Sequence, residues 1–235
     1  MIRARPPVTI AVVDSGVNVP HPHLPGVAGG VALDLDGNPA TDFVDRLGHG
    51  TAVAAAIHEK APEAQIHAVK VFDDRLATHV AALVAAIDWA SERGMRLVNL
   101  SLGTSNAVRA AELAPAVARA IERGTIVVSA LEHDGRRWYP GCLAGVVGVL
   151  LDPEQARESV TVSELAGRPA VRAAGYPRPI PGVPPERNLN GISFAVANAT
   201  GCLAAALAEH PEVRTAAEAV RVLRAVGARA RGGDG

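Results

Sequence analysis

The chain has 235 residues, 49% of them hydrophobic and 20% charged, which is enough apolar material for one sizeable core and too much for a disordered chain. Its 23 basic and 24 acidic side chains leave a formal net charge of -1, so no global field draws nucleic acid or anionic lipid, and neither is expected as a partner. Cys142 and Cys202 can make at most one disulfide, and a chain this long needs none; both are expected as buried thiols in a reducing, cytoplasmic setting.

Arg3 and Arg5 precede an apolar run over 8–13 that stops at Asp14 with no small-residue cleavage pattern behind it, so the run reads as a strand and not as a signal peptide. Further strands are expected over 66–71, 97–100, 126–129 and 146–150. Helical patterns fall between them over 50–58, 78–93 and 107–123, the last two followed by Gly94 and Gly124 where a helix C-cap favours glycine. Two more helices are expected over 193–208 and 215–226. The apolar segments 80–87 and 143–151 are too short to cross a bilayer. This alternation predicts βαβ crossovers and an α/β domain with a largely parallel, buried sheet. One domain is expected over 1–226, followed by a flexible Arg- and Gly-rich tail over 227–235. The proline-rich stretch 175–185 reads as an irregular surface loop, either a stiff connector or, from its place before Ser193, a wall of a cleft.

Three windows place a reactive side chain at the end of a strand or the start of a helix: Val12-Val13-Asp14-Ser15-Gly16, Gly48-His49-Gly50-Thr51, and Asn190-Gly191-Ile192-Ser193-Phe194-Ala195. Nucleophilic acyl transfer needs such a set: a hydroxyl, an imidazole to take its proton, and a carboxylate to fix the imidazole tautomer. The order Asp, His, Ser along the chain matches one known solution. If Ser193 opens a helix, its own backbone N–H and the positive helix end face the developing oxyanion.

Together the windows resemble those of the subtilases, the subtilisin-like serine proteases, over nearly the whole chain. His21-Pro22-His23-Leu24 resembles the family's His-Pro-Asp-Leu turn. Ala68-Val69-Lys70-Val71, Val98-Asn99-Leu100-Ser101-Leu102-Gly103 and Tyr139-Pro140-Gly141 resemble later landmarks, in the same order. The resemblance implies a three-layer α/β sandwich, a mostly parallel central sheet flanked by helices. It implies a triad of Asp14, His49 and Ser193, with Ser101, Leu102 and Gly103 as the edge that pairs with an extended peptide or protein substrate. Asn99 is expected to hydrogen-bond near the triad without reacting.

The sequence departs from the family pattern at several places. The oxyanion asparagine of Ala-Ala-Gly-Asn-Glu-Gly is replaced within Ala130-Leu131-Glu132-His133-Asp134-Gly135, so His133 takes its position. Either His133 is the side-chain donor beside the Ser193 backbone, or it is an exposed loop residue; loss of one such donor costs about 2.7–4 kcal/mol. Ala130 and Glu132 fall on the expected wall of the primary specificity pocket. There Glu132 would select Arg or Lys before the scissile bond, or it turns outward to pair with Arg136 or Arg137. Ile192, Phe194 and Ala197 stand at the family's threonine, methionine and proline positions around the nucleophile.

The segment between His49 and Lys70 is too short for a calcium loop, Asp34-Leu35-Asp36-Gly37-Asn38 reads as a solvated turn, and His21 and His23 read as a turn and not as ligands. His58, His67, His79 and His210 have no motif context and are expected at surface or amphipathic positions. No metal or cofactor is expected. The few residues before Asp14 leave no folding prodomain, so the chain is expected to fold unaided or with an accessory protein. The expected function is a serine endopeptidase acting through an acyl-enzyme, and the resemblance extends to proteases that trim precursor peptides. The alternative is a weak or inactive subtilase fold that binds a peptide or partner protein in the same groove, favoured by His133, Glu132 and the changes around Ser193.

Overall fold

The computed structural model describes residues 6–72 and 75–232, the side chains of 228–232 excepted, so Arg3, Arg5 and the end of the expected tail lie outside the described residues. In chain order its elements are β1 (Thr9–Asp14), β2 (Gly29–Leu33), β3 (Pro39–Ala40), α1 (His49–Lys60), β4 (Gln65–Lys70), α2 (Val80–Glu92), β5 (Leu97–Leu100) and α3 (Ala110–Glu122). There follow β6 (Ile126–Ala130), β7 (Glu132–His133), β8 (Arg136–Arg137), β9 (Val147–Leu151), β10 (Thr161–Leu165), β11 (Arg168–Ala173), α4 (Ile192–Glu209) and α5 (Ala216–Gly232).

Alternation along β1 sets the architecture. Ile10 and Val12 point into one apolar cluster, Ala11 and Val13 into another, and all four are buried, so this is a central strand covered on both faces. The first cluster is built with α1, α4 and α5, the second with α2 and α3, which gives the expected three layers. The sheet runs β10-β11-β9-β6-β5-β1-β4-β2-β3, parallel throughout except for the antiparallel strands β10 and β3 at its edges. The chain lays β4 beside β1, crosses to β5 on the other flank of β1, and steps outward through β6 and β9. In open sheets of this kind, functional groups collect where the carboxyl ends of the strands diverge.

The five strands expected from apolar runs are present, and Gly94 and Gly124 take left-handed φ after α2 and α3. Strands β2, β3, β10, β11 and the β7–β8 hairpin were not legible in advance. β10 is only partly buried, and β11 carries Pro169, whose register opposite Glu164 lies outside the segment that pairs with β9, so its missing N–H costs no ladder bond there. α5 continues to Gly232, through much of the stretch expected as a tail.

Helix α4, 18 residues with a mean hydropathy of 1.4, is long and apolar enough to cross a membrane, but 67% of it is buried within the protein. Both thiols are free, with Cys142 buried and donating to the Leu131 carbonyl at 3.1 Å. Cys202, expected to be buried, is only half-buried, although burial pushes its thiol up to about 11.

The 175–185 stretch is irregular as expected, and the chain around it is tied down. The Arg178 guanidinium donates to the His23 carbonyl at 3.2 Å, and Asn198 Nδ2 donates to the carbonyls of Ala174 at 2.8 Å and Tyr176 at 2.9 Å. Pro177 and Ile180 line a groove of about 420 Å3 together with His21 and Pro22, but no residue of 175–185 lines the cleft beside Ser193, so there the stretch is a connector and not the expected wall. His21 and Leu24 exchange backbone hydrogen bonds, and Leu24 is fully buried, which makes 21–24 an anchored turn. The Asp34 carboxylate accepts the N–H groups of Asp36 and Asn38 in an exposed turn.

Candidate active site

The approach of α1 to β1 depends on a missing side chain. A Cβ on Gly50 would stand 2.2 Å from the Gly16 carbonyl oxygen and 3.1 Å from the Asp14 Cβ, so only glycine lets the helix start against the strand end. That contact puts His49, the first residue of α1, beside Asp14, the last of β1. Asp14 is 1% exposed, and its Oδ1 accepts the Ser15 N–H at 2.8 Å and faces His49 Nδ1 at 2.7 Å. Burial alone would lower the His49 pKa, but the hydrogen bond and charge of Asp14, with the charge of Asp45 added, hold it above 6.5. The imidazole rests against the buried Phe194 ring, centroids 5.3 Å apart, so the residue at the family's methionine position supports the base from below.

Ser193 is the second residue of α4, and its hydroxyl donates to the Ser101 carbonyl oxygen at 3.0 Å, not to His49. Behind it runs a buried chain: Thr200 Oγ1 donates to Asn99 Oδ1 at 2.9 Å, and Asn99 Nδ2 donates to Ser101 Oγ at 2.7 Å. Asn99 thus ties the end of β5 to α4, the supporting part expected of it. His49, Ser193, Ser101, Leu102, Gly103, Ala130 and His133 all line one cleft of about 680 Å3, with Asp14 buried behind the imidazole.

Glu132 is not among the residues lining that cleft. It lies on β7 opposite Arg137, and because neighbouring side chains on a strand point to opposite sides, the hairpin that turns His133 into the cleft turns Glu132 away. The expected selection for Arg or Lys loses its carboxylate. His133 is partly exposed, with Nε2 3.4 Å from Asp134 Oδ2.

Two features of the site escaped the sequence reading. Asp45, 4% exposed, accepts five hydrogen bonds: from the N–H groups of Leu47 at 2.9 Å, Gly48 at 2.8 Å and Thr51 at 2.9 Å, and from the hydroxyls of Thr51 at 2.6 Å and Ser15 at 2.9 Å. The Ser15 oxygen accepts the Gly50 N–H at 2.9 Å, so together they satisfy N–H groups that a helix start leaves without partners, and fix the loop carrying His49. Its signal was an aspartate three residues before a Gly-His-Gly turn. The other feature is a further part of the cleft lining, Thr78 and His79 just before α2; His79 is exposed there, in keeping with the surface position expected of it.

The fold and the cleft define a three-layer α/β protein with a buried carboxylate backing a partly exposed imidazole at the mouth of a mostly parallel sheet. The Subtilase family model matches residues 6–175, and the chain belongs to that family. It is 32% identical over 204 residues to Subtilisin Savinase of Lederbergia lenta, a match covering 82% of this chain and 70% of that protein. It is 37% identical over 154 residues to the Minor extracellular protease Epr of Bacillus subtilis (strain 168), covering 60% of this chain but only 23% of that one. The chain thus spans less than a quarter of the length of Epr. Among solved structures, the nisin leader peptidase NisP from Lactococcus lactis superposes with a TM-score of 0.69 at 18% identity, over 91% of this chain and 81% of that one.

Proposed function

We propose that the chain is a subtilisin-like serine endopeptidase with Asp14, His49 and Ser193 as its triad. The observation that carries this reading is the 2.7 Å contact of His49 Nδ1 with the buried Asp14 carboxylate, at the edge of a cleft that also holds Ser193. In the reaction His49 accepts the Ser193 hydroxyl proton as the oxygen attacks the scissile carbonyl, then returns it to the leaving amine; Asp14 holds the tautomer and stabilises the imidazolium. Water then attacks the acyl-enzyme by the same relay in reverse. The Ser193 backbone N–H at the start of α4 and the His133 imidazole supply the oxyanion donors.

The substrate lies as an extended strand along Ser101, Leu102 and Gly103, and the class of substrate is a peptide or protein. A narrow task, removal of a leader from a precursor peptide, is part of the proposal; the fold shared with a nisin leader peptidase supports it. A cytoplasmic setting, supported by two free thiols, belongs to the same reading, which calls for neither nucleic acid nor membrane lipid and leaves room for an accessory protein as a partner. A second reading, a groove that holds peptide without cutting it, is favoured by the resting bond of the Ser193 hydroxyl to the Ser101 carbonyl. A fluorophosphonate probe decides between them. Labelling that disappears in Ser193→Ala is expected of the peptidase, and a wild-type chain that stays unlabelled would leave only the binder.

A further inference from the structure

The crevice beside Ser193 has a floor that neither the triad nor the oxyanion donors account for. β5 and β6 are neighbouring parallel strands, and the segments that follow them diverge, leaving Gly103 on one side and Ala130 on the other. Past the β7–β8 hairpin the chain returns to close the gap. Trp138 donates its backbone N–H to the Leu131 carbonyl at 3.0 Å, while Tyr139 and Thr104 exchange backbone hydrogen bonds of 2.9 and 3.0 Å. This seats the Trp138 indole in the cleft that holds Ser193, packed against the core cluster.

The ring leaves no gap at Gly103. A Cβ there would stand 3.4 Å from indole Cε3 and 2.3 Å from the Tyr139 carbonyl oxygen. The indole nitrogen is buried and without a hydrogen-bond partner, so the surface that the ring offers to the cleft is carbon. Ala130 and Ile192 add only carbon beside it, and the nearest carboxylate of that segment, Glu132, is turned away.

We infer that Trp138 sets the primary specificity of the cleft by filling its floor, so that the residue before the scissile bond must carry a small, uncharged side chain such as Ala or Ser. This rests on the peptidase reading. A large aromatic side chain would collide with the indole, and a Lys or Arg would meet no carboxylate beside it, since Glu112, the carboxylate that lines the cleft, is already paired with Arg109 at 2.8 Å. Pockets of this kind discriminate by roughly 10- to 200-fold for each increment of size they reject.

The test uses three peptidyl diphenyl phosphonates that differ only in Ala, Phe or Lys at the position before the phosphorus, with rates of Ser193 modification followed by intact mass on the full chain. Wild type is expected to react with the Ala probe at least tenfold faster than with the other two, and Trp138→Ala to bring the Phe probe to parity or beyond. Should Trp138→Ala fail to fold, Trp138→Phe, which keeps a ring against the core, is expected to narrow the Ala-to-Phe ratio severalfold. A wild type that prefers Phe or Lys, or a folded Trp138 variant with an unchanged probe profile, overturns the role of Trp138 and leaves the peptidase standing. Failure of Ser193 to react with these probes and with a fluorophosphonate overturns both.

Discussion

The two halves of the cleft are built to different standards. On the base side, Asp14 and Asp45 are both buried and hydrogen-bonded at short range to the loop and helix that carry His49, so the imidazole has little freedom. On the nucleophile side, His133 is partly exposed on a two-residue strand, and the Ser193 hydroxyl rests on a carbonyl instead of on the base. In the proposed reaction, proton acceptance is pre-arranged in the free protein, whereas alignment of Ser193 and of the proposed oxyanion donors would await a substrate strand at the Ser101 carbonyl. Extended backbone would compete for that acceptor and release the hydroxyl toward His49.

The contrast can be broken at its strongest point first. Asp14→Asn is expected to lower the rate of Ser193 acylation on the order of 10⁴-fold, because the amide no longer holds the reactive tautomer. The pH midpoint of the residual rate should also fall, since the carboxylate that raises the His49 pKa is gone. The sign follows for stability too: the pair's contribution is complete below 6.5 and is lost as pH rises through the raised folded value, so the wild-type advantage over Asp14→Asn in thermal melts should shrink toward alkaline pH.

His133→Ala is expected to reduce single-turnover acylation by about 10²–10³-fold, with partial recovery in His133→Asn, if the imidazole donates to the oxyanion. Equal rates in all three chains would leave the hole with its backbone donor alone. Asp45→Ala strands several buried donors and should cost about 2–4 kcal/mol in chemical denaturation. Burial pushes the Asp45 pKa up, but its hydrogen bonds from Thr51, Ser15 and Leu47 outweigh burial and hold it below 3.8. Its stabilisation is therefore present above that value and lost as pH falls through the folded one, so acid unfolding of wild type should begin at lower pH than if Asp45 titrated normally.

The smallest effect is expected at Glu59, which ties α1 to the loop before Ser193 through Arg157 and, at 3.8 Å, Arg178. Glu59→Gln should cost about 1 kcal/mol, visible as faster hydrogen exchange around residues 176–178 with β1 unchanged.

What the sequence disclosed divides along the same line. Asp14, His49 and Ser193 stood out because each sits at the end of an element, where a strand stops or a helix starts, but it was the resemblance to the subtilases that joined them into an expected triad. Strand β11 was not, because Arg and Pro interrupt the alternation that would mark it, and its burial comes from β9 and α4 and not from its own pattern. The position of Glu132 depended on a hairpin too short to leave a periodic signal: one residue of register decides which of Glu132 and His133 enters the cleft. Asp45 and Trp138 were missed for a related reason, since their partners come from hydrogen bonds and packing that only the folded chain brings together.

The most direct test of the relay is an NMR titration of His49 in the free protein, in Asp14→Asn, and after phosphonylation of Ser193. The expected result is a midpoint above 6.5 in the free protein, a lower one in Asp14→Asn, and a further rise when the anionic adduct on Ser193 is brought against the ring. A His49 midpoint indifferent to both the loss of the Asp14 carboxylate and the adduct would contradict a proton relay through these three side chains.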